Sequence, residues 1–328
     1  MASVHSNSMN DEYRLVWIDL KMTGLDTRKD HFMEISIIVT DSNLDVVGKG
    51  PNLIIKVEDK VLNDMNKWCQ QHHGISRLME EMQTSDITLS MAEDKILEFL
   101  VQHTKQGKAP LAGNSVHANK KFIDKYMPKV MKHLHYRIVD VSTLNELCRR
   151  WYETEFKNIP RKKLCYRAFD DIKESINELK YYRSSIFKKL ESCKTEKPAR
   201  TIFTPIVTKV DERLVWIDLE MTGLNEEKEK IMEVAVIVTD SYLDIIEKGP
   251  SLVIKVEDEV LNNMNDWCQK HHGESGLTEA CRRSDITLSM AEDKILEFLV
   301  QHVEKGIGIH QYLIKFPGDH YVIGTLIS

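Results

Sequence analysis

The chain has 328 residues, of which 42% are hydrophobic and 29% charged, with a formal net charge of −6. That length leaves room for two domains, or one and a half. The acidic balance excludes a chain-wide basic footprint for long nucleic acid, while short oligomers held through metals stay open.

Residues 1–12 have no apolar core and read as a disordered N-terminus. With no transit peptide visible, an intracellular and cytoplasmic protein is favoured. No apolar run approaches the roughly 20 residues of a membrane span. Six cysteines without C-x-x-C spacing (Cys69, Cys148, Cys165, Cys193, Cys268 and Cys281) read as reduced thiols. Leu15–Leu20 is apolar enough for a strand buried on both faces. It carries Asp19, with Lys21 two residues on and a Thr23-Gly24 turn behind it. Phe32–Thr40 and Asn52–Val57 are the next strands, and the short spacing predicts an antiparallel meander. Asp59–Gln71 and Ile75–Met82 read as helical. Ser90–His103 is amphipathic, with Ala92, Ile96, Phe99 and Leu100 on one face.

Pro110–Ala112 is a short strand, and a loop and a helix ending near Pro128 follow it. Tyr136–Val141 is another strand, and Ser142 is expected to cap the helix that runs to Trp151. The basic run Arg161–Lys163 reads as solvated. Arg167–Lys189 carries Ala168, Ile172, Ile176, Leu179 and Tyr182 on one stripe. Residues 191–212 are polar, hold two prolines, and form a linker.

Residues 14–103 then recur at 213–302 with a constant offset of 199, and Ser85–His103 is identical to Ser284–His302. The tail 303–328 has no counterpart. A mixed α/β layer fold is therefore expected: a complete domain at 13–190, and at 213–302 a truncated second copy with an open sheet edge and an uncovered apolar face.

The repeated stretch is LVWIDLKMTGL in the first copy and LVWIDLEMTGL in the second. Residues i and i+2 of a strand share a face, so Asp218 and Glu220 can hold a divalent ion between them. Taken alone, such a pair is more often an exposed strand end. The first copy has Asp19 and Lys21 instead, an acid beside a base.

The surrounding motifs narrow the reading. D-L-E-M-T-G-L, W-C-x-x-H-H-G, G-N-S-V-H, H-Y-R-I-V-D-V-S-T and R-A-x-D-D-I occur in this order of family motifs and together resemble oligoribonuclease. That family comprises DEDD-type 3′→5′ exoribonucleases that degrade very short RNAs to mononucleotides. The resemblance covers nearly all of 14–190 and then 213–302. It implies a ribonuclease-H-like mixed sheet flanked by helices, a homodimer, and two Mg2+ (or Mn2+) ions held by four carboxylates with a histidine as general base. It also makes a mitochondrial location an alternative to the cytoplasm.

Residue by residue, the first family aspartate falls on Asp19 and again on Asp218, and the glutamate on Lys21 and on Glu220. The next aspartate falls on Asn119, the general-base histidine on Tyr166, and the last aspartate on Asp171, with Asp170 adjacent. The first copy so keeps two of five groups. The RNA-binding positions are better kept: Leu25 and Trp68 (Leu224 and Trp267 in the second copy) as base wedges, and His73, Ser115, Tyr136, Arg137 and Ser142 as a phosphate cap. Tyr136 is expected to act across the dimer.

Four readings follow. The first is a short-RNA-binding protein with hydrolysis lost or weak, a pseudoenzyme. The second is an exchange of halves assembling Asp218 and Glu220 with Asn119, Tyr166 and Asp171. The third is a non-catalytic partner that forms mixed dimers with an intact oligoribonuclease. The fourth is the product of a duplicated gene with little selected function.

Overall fold

The computed structural model describes residues 13–63, 65, 67–163, 166–187, 213–223, 228–303, 310–316 and 320–326. The expected N-terminal segment 1–12 and linker 191–212 lie outside the described residues, as do Cys165 and Cys193. The chain divides into two compact units, residues 1–192 and 193–328.

The first unit is built on a five-stranded sheet of order β3-β2-β1-β4-β5. Its strands are β1 (Leu15–Met22), β2 (Phe32–Thr40), β3 (Val46–Ile54), β4 (Pro110–Gly113) and β5 (His135–Asp140). The first three form the expected antiparallel meander, and β4 and β5 add in parallel, with Val16 opposite Leu111 and Leu111 opposite Ile138. A strand with helices on both sides is buried at every position, and β2 is.

The two faces of β1 go to different layers. Val16, Ile18 and Leu20 pack with Ala92, Ile96 and Leu100 of α4 (Leu89–His103) and Phe122 and Ile123 of α5 (Val116–Tyr126). Trp17 packs with Ile172, Ile176 and Tyr182 of α9 (Ala168–Ser185). The period of two therefore commits Asp19 and Lys21, of the same parity as Trp17, to the α9 side.

Several boundaries differ from expectation. The third strand runs Val46–Ile54 rather than Asn52–Val57, because it pairs with β2 from Val46 opposite Thr40 to Ile54 opposite Glu34; Phe99 lies over it at Gly50, where a Cβ would meet the ring at 2.8 Å. The first predicted helix is two, α1 (Asp59–Asn63) and α2 (Lys67–Ile75). The next is α3 (Leu78–Thr84), starting after Arg77 in the left-handed region. The helix after β4 does stop near Pro128, since α5 ends at Tyr126, but Pro128 is not followed by a loop. It starts α6 (Pro128–His133), since proline suits a first helical turn. The helix α7 (Val141–Trp151) is capped by Asp140 and not by Ser142: the Asp140 carboxylate accepts the Ser142 N–H at 2.9 Å. A short α8 (Glu153–Lys157) was not foreseen.

The second unit repeats the meander strand for strand, with β6 (Leu214–Met221), β7 (Ile231–Thr239) and β8 (Ile245–Val253) in order β6-β7-β8. Even the register shift recurs, between Lys21 and Met22 and between Glu220 and Met221. Helices α10 (Asp258–Asn262), α11 (Asp266–Glu274), α12 (Leu277–Arg283) and α13 (Leu288–His302) follow. A hairpin of β9 (His310–Phe316) and β10 (His320–Leu326) ends the described chain. The tail thus forms paired strands, and β9 lies near β6.

Helices α4 and α13 have one sequence and two environments. Leu100 is fully buried, while its equivalent Leu299 is only partly so. The difference is α6, which lies on α4 and has no sequence counterpart in the second unit. Leu100→Ala is expected to cost about 2–5 kcal/mol and Leu299→Ala clearly less, read from urea unfolding of the dilute chain. Equal costs would mean that the two helices are buried alike.

Candidate active site

The site forms where β1 meets the start of α9. Residue Lys21 sits between two acids: its Nζ is 2.6 Å from Asp19 Oδ2 and 2.5 Å from Asp171 Oδ2. Asp171 is in the first turn of α9, where the N-terminal end of a helix favours negative charge. The neighbouring Asp170 points away and pairs with Lys173 at 2.9 Å. Asn119, one turn into α5 and buried, directs Nδ2 toward Ile18 O (3.3 Å) and Asp19 Oδ1 (3.4 Å).

The ammonium is well held. Burial pushes the Lys21 pKa down, but the Asp19 and Asp171 carboxylates outweigh burial and raise it above the ordinary lysine value. Two acids and one ammonium leave a formal charge of −1 at this centre. Unit charges near 4 Å interact by about 4 kcal/mol at an effective dielectric of 20, and a divalent cation would meet twice that repulsion from Lys21. The donor set, two carboxylates already turned to an ammonium plus an amide, does not fit a divalent metal. Among the described residues no cluster of three or more His, Cys, Asp or Glu could hold one.

Other predicted residues fall into separate groups. Tyr166, at φ 54°, lays its ring edge-on against His72, with centroids 4.5 Å apart. His73 is a correction: it is 4% exposed, and its Nε2 lies 3.1 Å from Met22 O, so it clamps α2 to the end of β1 and presents nothing to a phosphate. Burial lowers its pKa, and because a carbonyl can only accept, Nε2–H is the donor in that hydrogen bond. Its equivalent His272 does the same to Met221 O at 3.0 Å.

Ser115 and Ser142 do come together. The Ser115 N–H donates to Ser142 Oγ (2.8 Å) and to Asp140 Oδ1 (3.0 Å), and the two hydroxyls are 3.3 Å apart. His117 Nδ1 lies 3.2 Å from Asp140 Oδ2 and completes the cluster. Tyr136 is 49% exposed on the edge strand β5, stacked on His135 with Arg137 over its ring. Leu25 is 59% exposed. The turn that presents it is set by Thr23 Oγ1 donating to Asp30 Oδ1 at 3.0 Å, and by Gly24, whose added Cβ would sit 2.5 Å from Asp30 Oδ2.

The side chain of Trp68 and all of Leu224 lie outside the described residues. Trp267, the second copy's equivalent of Trp68, is 41% exposed and stacks on His271 at 4.0 Å, an available ring and not a core one. Asp218 is exposed and Glu220 partly buried on β6. The basic run does not form a free patch, since Lys162 pairs with the buried Glu178 at 2.9 Å.

Sequence reasoning missed the group that seats α9. Glu34, buried on β2, accepts from Arg167 Nε, the Ala168 N–H and Asn52 Nδ2, each at 3.0 Å. Arg167 also forks onto Glu81 at 2.9 and 2.8 Å. A glutamate inside a strand buried along its length was the available signal.

A mixed sheet with helices on both faces, and acids from β1 and α9 converging beside it, define the ribonuclease-H-like exonuclease fold. The exonuclease family profile matches residues 16–179 and 215–310. The chain is 54% identical over 189 residues to the mitochondrial oligoribonuclease of Bos taurus, covering 58% of this chain and 78% of that protein. It is 56% identical to the mitochondrial oligoribonuclease of Homo sapiens (54% and 74% covered) and 52% to a probable oligoribonuclease of Dictyostelium discoideum (53% and 91%). Among solved structures, exonuclease I aligns with TM-score 0.41 and 14% identity, covering 52% of this chain and 41% of that one. The chain belongs to the oligoribonuclease family of 3′→5′ exoribonucleases. No described helix is long and apolar enough to cross a membrane.

Proposed function

We propose that residues 13–190 form an oligoribonuclease-family domain that binds short single-stranded RNA or dinucleotides and has lost hydrolysis, or keeps it only weakly. The observation that carries this is the Lys21 ammonium bonded to both Asp19 and Asp171, where the family holds divalent cations. Support also comes from Asn119 and Tyr166 standing at a family acid and the family base. Exposed Leu25 and the Ser115–Ser142 pair favour retained binding.

On this reading the domain works as a homodimer, with Tyr136 of the exposed β5 edge reaching its partner. The same exposed ring favours mixed dimers with an intact oligoribonuclease. The named location of the animal relatives makes the mitochondrion the compartment to examine first.

The test is the purified chain with a labelled dinucleotide and Mg2+ or Mn2+, beside an intact family member. Loss of the general base alone should lower turnover by on the order of 10²–10⁴, while dinucleotide binding persists in chelator. Turnover near the intact enzyme's sinks the proposal.

A further inference from the structure

A buried carboxylate is tied to both arms of the Ser115–Ser142 pair. Glu178 of α9 is 1% exposed and takes four donors. Its Oε1 accepts from Tyr182 Oη (2.8 Å) and Asn145 Nδ2 (3.1 Å), and its Oε2 from Asn114 Nδ2 (3.0 Å) and Lys162 Nζ (2.9 Å). Asn145 Nδ2 also donates to Tyr182 Oη at 2.9 Å, which ties α7 to α9 a second time. Burial and the Glu178 carboxylate raise the Tyr182 pKa, so the phenol keeps the proton it donates.

Two of these donors belong to the segments that present the serines. Asn114 immediately precedes Ser115, and Asn145 is one turn beyond Ser142 on α7. Asn114 Oδ1 is buried without a partner, so among the described residues the bond to Glu178 is the only one that orients that amide. Ser115 sits at φ 48°, a left-handed backbone that a residue with a Cβ keeps only where its surroundings impose it. The bonds from the Ser115 N–H to Asp140 and Ser142 impose it from one side, and the Asn114–Glu178 bond from the other.

We propose that Glu178 is a positioning residue, which holds Asn114 and Asn145 together so that Ser115 and Ser142 receive a terminal phosphate as one pair. This rests on the reading of that pair as the phosphate-binding end of the short-RNA site. A carboxylate suits the task because donors arrive at both of its oxygens, whereas a glutamine would turn its own N–H groups against two of them. Glu178 is also two turns beyond Asp171 on α9. One helix therefore carries both the acid that Lys21 bonds and the carboxylate that seats the serines.

The test is Glu178→Gln in the full chain, with two readouts. Amide hydrogen exchange needs no ligand: relative to Ile37 in the core, Ser115 should exchange about tenfold faster than in the native chain. Binding in chelator uses a dinucleotide with and without a 5′-terminal phosphate. The variant should lose about tenfold in affinity for the phosphorylated form, the weight of one hydrogen bond to a charged group, and keep its affinity for the other form. A merely structural role would not separate the two. Asn114→Ala removes a single tie and leaves the apolar stripe of α9 in place, so it supplies both readouts should Glu178→Gln fail to fold.

Unchanged Ser115 exchange in the folded variants overturns the positioning. Equal effects on the two dinucleotides overturn the connection to a phosphate. A native chain that binds neither dinucleotide overturns the binding reading on which the proposal rests, whatever the exchange shows.

Discussion

Lys21→Glu is expected to make the melting temperature of the first unit depend on divalent cations, which that of the native chain does not. In the native site one ammonium bonds two carboxylates, with Lys21, Asp19 and Asp171 side chains only 12%, 21% and 31% exposed. Replacing the ammonium by a third carboxylate removes both bonds and adds repulsion. Breaking a buried ion pair costs about 3–5 kcal/mol, and the partial exposure of Asp171 lowers this to about 2–4 kcal/mol. In chelator, at roughly 2–4 °C per kcal/mol for a domain of this size, the variant should melt on the order of 5–15 °C lower.

Millimolar Mg2+ or Mn2+ should restore much of that loss. Three convergent carboxylates are a suitable donor set for a hard cation, and binding at 100 times Kd returns about 2.7 kcal/mol. Lys21→Met is the control: it should lose stability and gain little cation response, because it removes the ammonium without adding an oxygen donor. A native chain whose melting temperature rises with Mg2+ as much as the variant's would show that Lys21 does not fill the cation position. On the proposed reading hydrolysis is not expected to return with Lys21→Glu alone, because the resemblance sets Asn119 and Tyr166 at the positions of a family acid and the family base.

The legible part of the site was the part fixed by local period. Strand parity in β1 placed Asp19 and Lys21 on one face, and a base where the resemblance implies a carboxylate was visible at once. Its bridge to Asp171 was not. That contact spans 150 residues and depends on how α9 seats on the sheet. Spacing within R-A-x-D-D-I also leaves the choice between Asp170 and Asp171 to the phase of the helix, which turns Asp170 toward Lys173.

Local chemistry misled in two places. Ser142 is a good cap by residue type, but Asp140 two positions earlier has the stronger acceptor and also takes the Ser115 N–H, so the helix begins sooner. His73 lies in a conspicuous His-His-Gly run, yet its side chain is drawn inward to satisfy Met22 O. A buried polar atom needs a partner, and no spacing rule names it. The strand β2 was legible in its bounds, Phe32–Thr40, and its burial at every position is what the structure adds. The purpose of Glu34 within it was not, because its partner Arg167 lies 133 residues away.

That glutamate gives the second large effect. Glu34→Ala is expected to cost about 3–5 kcal/mol, because it leaves a desolvated guanidinium and a helix-terminal N–H without their acceptor. Glu34→Gln keeps the shape and one acceptor, so about 1.5–3 kcal/mol is expected for a hydrogen bond to a charged group. The second unit supplies the comparison: Glu233 is only partly buried and takes Ser251 Oγ at 3.3 Å, with no Arg167 equivalent in its sequence. Glu233→Ala should stay within about 1 kcal/mol.

The consequence reaches the site through α9. Glu34 fixes Ala168, the first residue of that helix, and Asp171 is one turn further along it. Loosening the first turn therefore loosens the acid that Lys21 bonds. Lys21→Met and Glu34→Gln should be non-additive in urea unfolding, with a coupling of about 0.5–3 kcal/mol: once the start of α9 is free, removing the ammonium has less left to lose. Strict additivity would mean that Asp171 is seated by the apolar stripe of α9 alone, and that the Glu34–Arg167 pair holds α3 and not the site.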